Sequence, residues 1–144
     1  MKILVLNGPN LNLLGKRDPA VYGSETLTDI ENRLNEQFPD IKFEFIQSNH
    51  EGELIDAIHE ARDGSVDALI ANWGGFTHSS VAIHDALELL EIPKVEVHLS
   101  NIHAREEFRE RSITGKAMDG IITGFGVDSY LLGVEATLKI LAKK

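Results

Sequence analysis

No cysteine occurs among the 144 residues. Its absence removes disulfides, thiolate zinc sites, iron–sulfur clusters and a cysteine nucleophile together. Long apolar runs are missing too: nothing approaches the ~18 consecutive apolar residues of a membrane span. The opening segment MKILVLNGPN meets Asn, Gly and Pro after a short apolar run. It lacks the length and the small-residue cleavage site of a secretory signal. Positive charge is scarce, with 14 Lys and Arg against 23 Asp and Glu, for a net charge of −9. Nucleic-acid backbones and anionic membranes attract the opposite sign, so neither is expected as a partner. What is left is the expectation of a cytoplasmic protein with one domain over residues 1–144. That length suits a single domain, and folding should bury about two thirds of the chain's surface. Hydrophobic residues make up 42% and charged residues 26%, which argues against disorder. No linker, repeat or low-complexity segment interrupts the chain.

The chain alternates between two periods. Ile3-Leu4-Val5-Leu6 is a continuous apolar run, the mark of a strand covered on both faces. A polar stretch over residues 10–24 follows, long for an α/β connection. Thr26 then offers an N-cap, and Ile30, Leu34 and Phe38 form a helical stripe closed by Pro39. Strand two is expected over residues 41–46. A helix carries Leu54, Ile55, Ile58 and Ala61, and a third strand is expected over residues 66–71. Val81, Ile83, Ala86, Leu87 and Leu90 predict the next helix, and Val95, Val97 and Leu99 strand four. Residues 103–112 read as a short charged helix. Ile121-Ile122 forms strand five, and Tyr130 to Leu141 a closing helix. Five strands separated by helices predict an α/β, three-layer sandwich. Its five-stranded parallel sheet would carry helices on both faces and right-handed crossovers. A flavodoxin-like order 2-1-3-4-5 is the first choice.

In such a sheet, ligands bind beyond the carboxyl ends of the strands. Those ends are where this sequence concentrates its polar chemistry. Asn7-Gly8-Pro9-Asn10-Leu11-Asn12 follows strand one, with Arg17 and Tyr22 beyond it. Asn72-Trp73-Gly74-Gly75-Phe76-Thr77-His78-Ser79-Ser80 follows strand three. Strand four ends in Glu96-Val97-His98-Leu99-Ser100-Asn101, and strand five in Gly124-Phe125-Gly126. Several sharper readings fail on spacing. Gly8 and Gly15-Lys16 stand too far apart for a Walker loop, and Arg17 occupies its Ser/Thr position. Gly124-x-Gly126 is a fragment of a dinucleotide fingerprint on the last unit. A receiver domain needs acidic residues where this chain has Asn7 and Asn72. A zinc site at His78, His98 and His103 lacks the helical His-x-x-x-His pair, and Glu96 suits an imidazole partner better. No metal or other cofactor is expected.

Four motifs occur in order: Asn7-Gly8-Pro9-Asn10-Leu11-Asn12, Arg17-Asp18-Pro19-x-x-Tyr22-Gly23, Asn72-x-Gly74-Gly75-x-Thr77-His78-x-Ser80 and Glu96-Val97-His98-x-Ser100-Asn101. The stretch His103-Ala104-Arg105-Glu106-x-Phe108-Arg109 extends them. Together they resemble the type II 3-dehydroquinate dehydratases across essentially the whole chain. The resemblance implies trans-dehydration of 3-dehydroquinate to 3-dehydroshikimate without metal or Schiff base, in the shikimate pathway toward aromatic amino acids. It also implies a homododecamer built from trimers. By the same resemblance Tyr22 is the base and Arg17 its activator, since a guanidinium beside a phenol favours the phenolate. Asn10 holds a water near the enolate oxygen. His98 is the general acid, and Glu96, two residues away on the same strand face, fixes its tautomer. Asn72, Leu99 and Ser100 match the substrate-carboxylate site. His78 and Arg109 match contacts to ring hydroxyls, and Asp85 a residue supplied by a neighbouring subunit. Trp73 and Phe76 are bulky at variable positions of their motif and are expected to alter packing around the site. Residues 16–23 are expected to form a lid. Two other functions are compatible with a flavodoxin-like sheet: the same reaction in quinate breakdown, and a ligand-binding module without turnover.

Overall fold

The computed structural model describes every residue from Met1 to Lys144. Strands β1 (Lys2–Asn7), β2 (Lys42–Gln47), β3 (Ala68–Asn72), β4 (Lys94–His98) and β5 (Gly120–Thr123) form one sheet in the order β2-β1-β3-β4-β5. Every adjacent pair is parallel. This is the flavodoxin-like order that the alternation of periods predicts. One short helix, α1 (Pro19–Tyr22), precedes four longer ones: α2 (Leu27–Gln37), α3 (Glu51–Glu60), α4 (Val81–Glu88) and α5 (Asp128–Ala142).

Side-chain alternation along the strands divides the interior into two layers. Leu4, Leu6, Leu69 and Ala71 point toward α3 and α4, where Trp73 joins them. Ile3, Val5, Ala68, Ile70, Val95 and Val97 point the other way, toward α2 and α5. Because β1 and β3 are covered on both faces, Ile3–Leu6 and Ala68–Ala71 are continuously apolar, whereas β4 carries the buried Glu96 at its centre. Their last residues, Asn7, Asn72 and His98, are polar, and there the sheet meets the cavity. Asn7 stands beside both Gln47 and Asn72 in register, and His98 beside Thr123.

The capping prediction for α2 holds. The Thr26 hydroxyl accepts from the Asp29 amide at 3.2 Å, and the Asp29 carboxylate accepts from the Thr26 amide at 2.9 Å. The Thr26 amide holds the Asp29 carboxyl below its ordinary range. One expectation is overturned. Residues 103–112 form two single 3-10 turns, Ile102–Ala104 and Glu107–Arg109, rather than a charged helix. Ile102 is buried but Phe108 is 66% exposed, so no apolar stripe is present to dock a helix. The boundary of β3 also differs: it starts at Ala68 and includes Asn72, which places the Asn72 side chain in the sheet itself.

Candidate active site

The floor of the site is a turn that only glycine permits. Gly8 donates its amide to the Asn72 carbonyl at 2.7 Å, which draws the end of β1 against the residue after β3. A Cβ on Gly8 would lie 2.5 Å from the Trp73 carbonyl carbon. Pro9 follows, and Asn10 takes a left-handed conformation with φ of 70°, which Asn tolerates better than most residues. Its amide donates to Asn49 Oδ1 at 2.9 Å. Asn10 thus reaches the cavity as a turn former, the role its position after Gly-Pro suggests.

Behind that turn lies a buried polar triad. The Tyr130 hydroxyl donates to Asn7 Oδ1 at 2.6 Å and accepts from Asn72 Nδ2 at 3.1 Å. Asn72 Oδ1 accepts from the Gly74 amide at 3.2 Å. With its oxygen and one N–H committed inside, the amide has its second N–H left for the cavity, where a carboxylate or hydroxyl would receive it. Complete burial pushes the Tyr130 phenol well above its ordinary value. Above that ordinary value of ~10 the unfolded chain releases a proton that the folded chain keeps. Folding stability is therefore expected to fall as pH rises through and beyond that region. In Tyr130→Phe this slope should flatten while neutral-pH stability drops by about 1–3 kcal/mol, because Asn7 and Asn72 lose a partner. Urea titrations at about pH 8 and about pH 11 measure both effects.

Tyr22 ends α1, whose first turn is capped by Asp18 accepting from the Ala20 amide at 3.0 Å. Its hydroxyl oxygen accepts from two guanidinium groups, Arg17 and Arg105, each at 2.8 Å. The Arg17 guanidinium also lies over the phenol ring, 3.9 Å from its centre. Two cationic donors on one oxygen interact most strongly when that oxygen carries charge. Arg105 also donates to Ser100 Oγ at 3.3 Å. The motif containing Arg105 is visible in sequence, but its partnership with Tyr22 is not. The two residues lie 83 positions apart.

Glu96 and His98 project from β4 on the same face. Glu96 is fully buried and His98 is 5% exposed. The carboxylate accepts from three side chains: His98 Nε2 at 3.0 Å, Ser112 Oγ at 2.9 Å, and the Thr114 hydroxyl. Sequence reasoning assigns nothing to Ser112 and Thr114. They lie 16 and 18 residues beyond Glu96 with no motif joining them to it. His78 donates from Nδ1 to the Arg111 carbonyl at 2.8 Å. Burial pulls the His78 imidazole below its ordinary range, so it is neutral near pH 7, with Nε2 as an acceptor.

One cavity gathers these groups at the carboxyl ends of β1, β3 and β4. Tyr22, Arg17 and Arg105 line it together with Asn10 and His98. Asn72, His78, Leu99, Ser100 and Arg109 also line it. Glu96 stands behind His98 rather than in the wall. Arg109 is paired with Glu106 through its Nε. Asp85 does not join them. It is exposed on α4 and pairs with His84 at 3.0 Å. Trp73 is fully buried in the layer beneath α3 and α4, and half-buried Phe76 packs against the same layer. His78, His98 and His103 do not converge as metal ligands. The one grouping of His, Asp and Glu close enough to share a cation is His84, Asp85 and Glu88 on the outer surface of α4. Lys94, the first residue of β4, sits at the opposite end of the sheet from this cavity, out of reach for a Schiff base there. Its ammonium donates to the Leu87 and Leu90 carbonyls.

This chain is similar to known proteins over nearly its whole length. The family model described as "Dehydroquinase class II" matches residues 1–138. A curated 3-dehydroquinate dehydratase from Caldicellulosiruptor bescii is 51% identical, over 97% of this chain and 98% of its own. One from Bacillus licheniformis is 54% identical over 92% of each chain. Among solved structures, a type II dehydroquinase from Butyrivibrio crossotus superposes with a TM-score of 0.92 at 45% identity. That match covers 95% of this chain and 97% of the other.

Proposed function

The chain belongs to the class II dehydroquinase family, and from that premise we propose how its residues divide the work of dehydrating 3-dehydroquinate. The protein is a hydro-lyase of the shikimate pathway. The reaction removes a proton from the carbon beside a ketone, then expels hydroxyl from the next carbon. Tyr22 is the base. Its phenolate takes the proton while the Arg17 and Arg105 guanidiniums balance the charge on its oxygen. The enolate that forms is stabilised by donors already in place, with a water held by Asn10 nearest to it. His98 then protonates the departing hydroxyl as water, and Glu96 holds the imidazolium through Nε2. The Asn72 amide, with Leu99 and Ser100, receives the substrate carboxylate. His78, neutral, accepts from one ring hydroxyl and Arg109 donates to another. The 16–23 segment closes over the substrate as a lid. The observation that carries this reading is the Tyr22 oxygen held between two guanidiniums, in the same cavity as a histidine backed by a buried carboxylate. A binding module needs neither.

Assembly and location belong to the same proposal. Asp85 is exposed and outside the chain's own cavity, so it can reach a substrate only in another copy. That supports an oligomer, a homododecamer built from trimers. The protein works in the cytoplasm; no helix is long and apolar enough to cross a membrane. Purified protein mixed with 3-dehydroquinate is expected to produce the ultraviolet absorbance of a conjugated enone. A chelator should leave the rate unchanged, and borohydride added with substrate should leave the protein mass unchanged. Absent absorbance would sink the activity. A covalent adduct or chelator inhibition would sink the metal-free, Schiff-base-free route.

A further inference from the structure

We propose that residues 111–115, none of which lines the cavity, set the tautomers of both active-site histidines, with Ser112 and Thr114 acting as positioning residues for His98. The proposal rests on His98 being the general acid. A backbone carbonyl can only accept, so the Arg111 oxygen requires the proton of neutral His78 to be on Nδ1. The bare Nε2 is then the acceptor that His78 offers. For His98 the same segment acts through Glu96. Thr114 occupies one carboxylate oxygen, and Ser112 shares the other with His98.

The direction of each proton follows from the donors. Ser112 Oγ accepts from the Gly115 amide at 2.8 Å, so its own proton is committed to Glu96. Ser112 and Thr114 donate to the two carboxylate oxygens, and an ionised carboxylate so held can only accept from its third neighbour. Glu96 therefore accepts from His98 Nε2–H, and Nδ1 is the nitrogen that passes its proton to the leaving hydroxyl. One short segment thus imposes opposite tautomers on two imidazoles. His98 presents a proton at Nδ1 only as the imidazolium, whereas neutral His78 presents a lone pair at Nε2.

The segment is itself fixed. Ile113 donates its amide to the Thr77 carbonyl at 2.8 Å, one residue before His78. A Cβ on residue 115 would lie 2.6 Å from Ser112 Oγ, so the turn closes tightly only on glycine. Thr114 has no exposed surface. This is a strut between the two histidine-bearing segments, not a surface loop.

The test combines imidazole nitrogen NMR with kinetics, at a pH where both histidines are neutral. Signals are assigned with His98→Gln and His78→Gln. In the unmodified protein, His98 is expected as the Nε2–H tautomer and His78 as the Nδ1–H tautomer. In Ser112→Ala/Thr114→Val the His98 signals should move to a tautomer average while those of His78 stay put. There kcat should fall about tenfold, with KM changed less than about twofold. Thr114→Ser should restore both properties. If the double variant does not fold, Thr114→Val alone is read in the same way. A pure Nε2–H tautomer at His98 in the variant would overturn the proposal, whether or not kcat falls. So would a matching change at His78. Full turnover in His98→Gln would instead overturn the general-acid assignment and leave the tautomer result standing, so the two failures are distinguishable.

Discussion

Tyr22→Phe is expected to lower kcat by about three orders of magnitude while substrate affinity stays within a few-fold. The change deletes one oxygen and keeps the ring that stacks under Arg17. On the proposed assignment, binding depends mainly on other groups that line the cavity, among them Asn72, Ser100, His78 and Arg109. What disappears is the atom that Arg17 and Arg105 both address at 2.8 Å. Positioned proton transfer contributes roughly 10²–10⁴ in rate, so its removal should appear in kcat and in kcat/KM together. Steady-state kinetics and direct binding of 3-dehydroquinate to the inactive variant check both halves. A variant that keeps more than about a tenth of the activity would remove Tyr22 as the base, because no bystander loss of this kind is compatible with that role.

Gly8→Ala is expected to cost about 3 kcal/mol of stability or more, and with it most of the activity. The added methyl meets backbone rather than a movable side-chain tip: the Trp73 carbonyl carbon would be 2.5 Å away. Neither chain can retreat freely. Gly8 and Asn72 are tied by a 2.7 Å hydrogen bond, and the Trp73 side chain is fully buried. Any separation of the two turns displaces Asn10 on one side and Gly74 on the other, both in the cavity wall. Urea midpoints for the folded fraction and turnover at saturating substrate measure the two losses. A variant as stable as the parent would show that this close approach does not define the floor of the site.

The architecture was readable because its cause is local. Continuous apolar runs at β1 and β3, the Thr26 capping box and the Pro39 stop act over a few residues each. Parallel strands separated by helices then leave few topologies. The site was readable in part for a similar reason: Arg17 and Tyr22 share a loop, and Glu96 and His98 share a strand face. The error over residues 103–112 has the converse cause. Charge and spacing there resembled a helix, but a helix needs a face to bury, and the segment instead spends its backbone on turns that present Arg105 and Arg109.

The sequence by itself determined the period of each element, the polar residues at the strand ends and the family to which these belong. Tertiary structure alone decided which distant groups meet. Arg105 reaches Tyr22 across 83 residues, Tyr130 reaches Asn7 across 123, and Ser112 and Thr114 close around Glu96. Those encounters depend on the packing of whole layers, since a hydrogen bond reaches only ~3 Å. Strand order and register bring such pairs within that reach, and no local pattern in the chain encodes them.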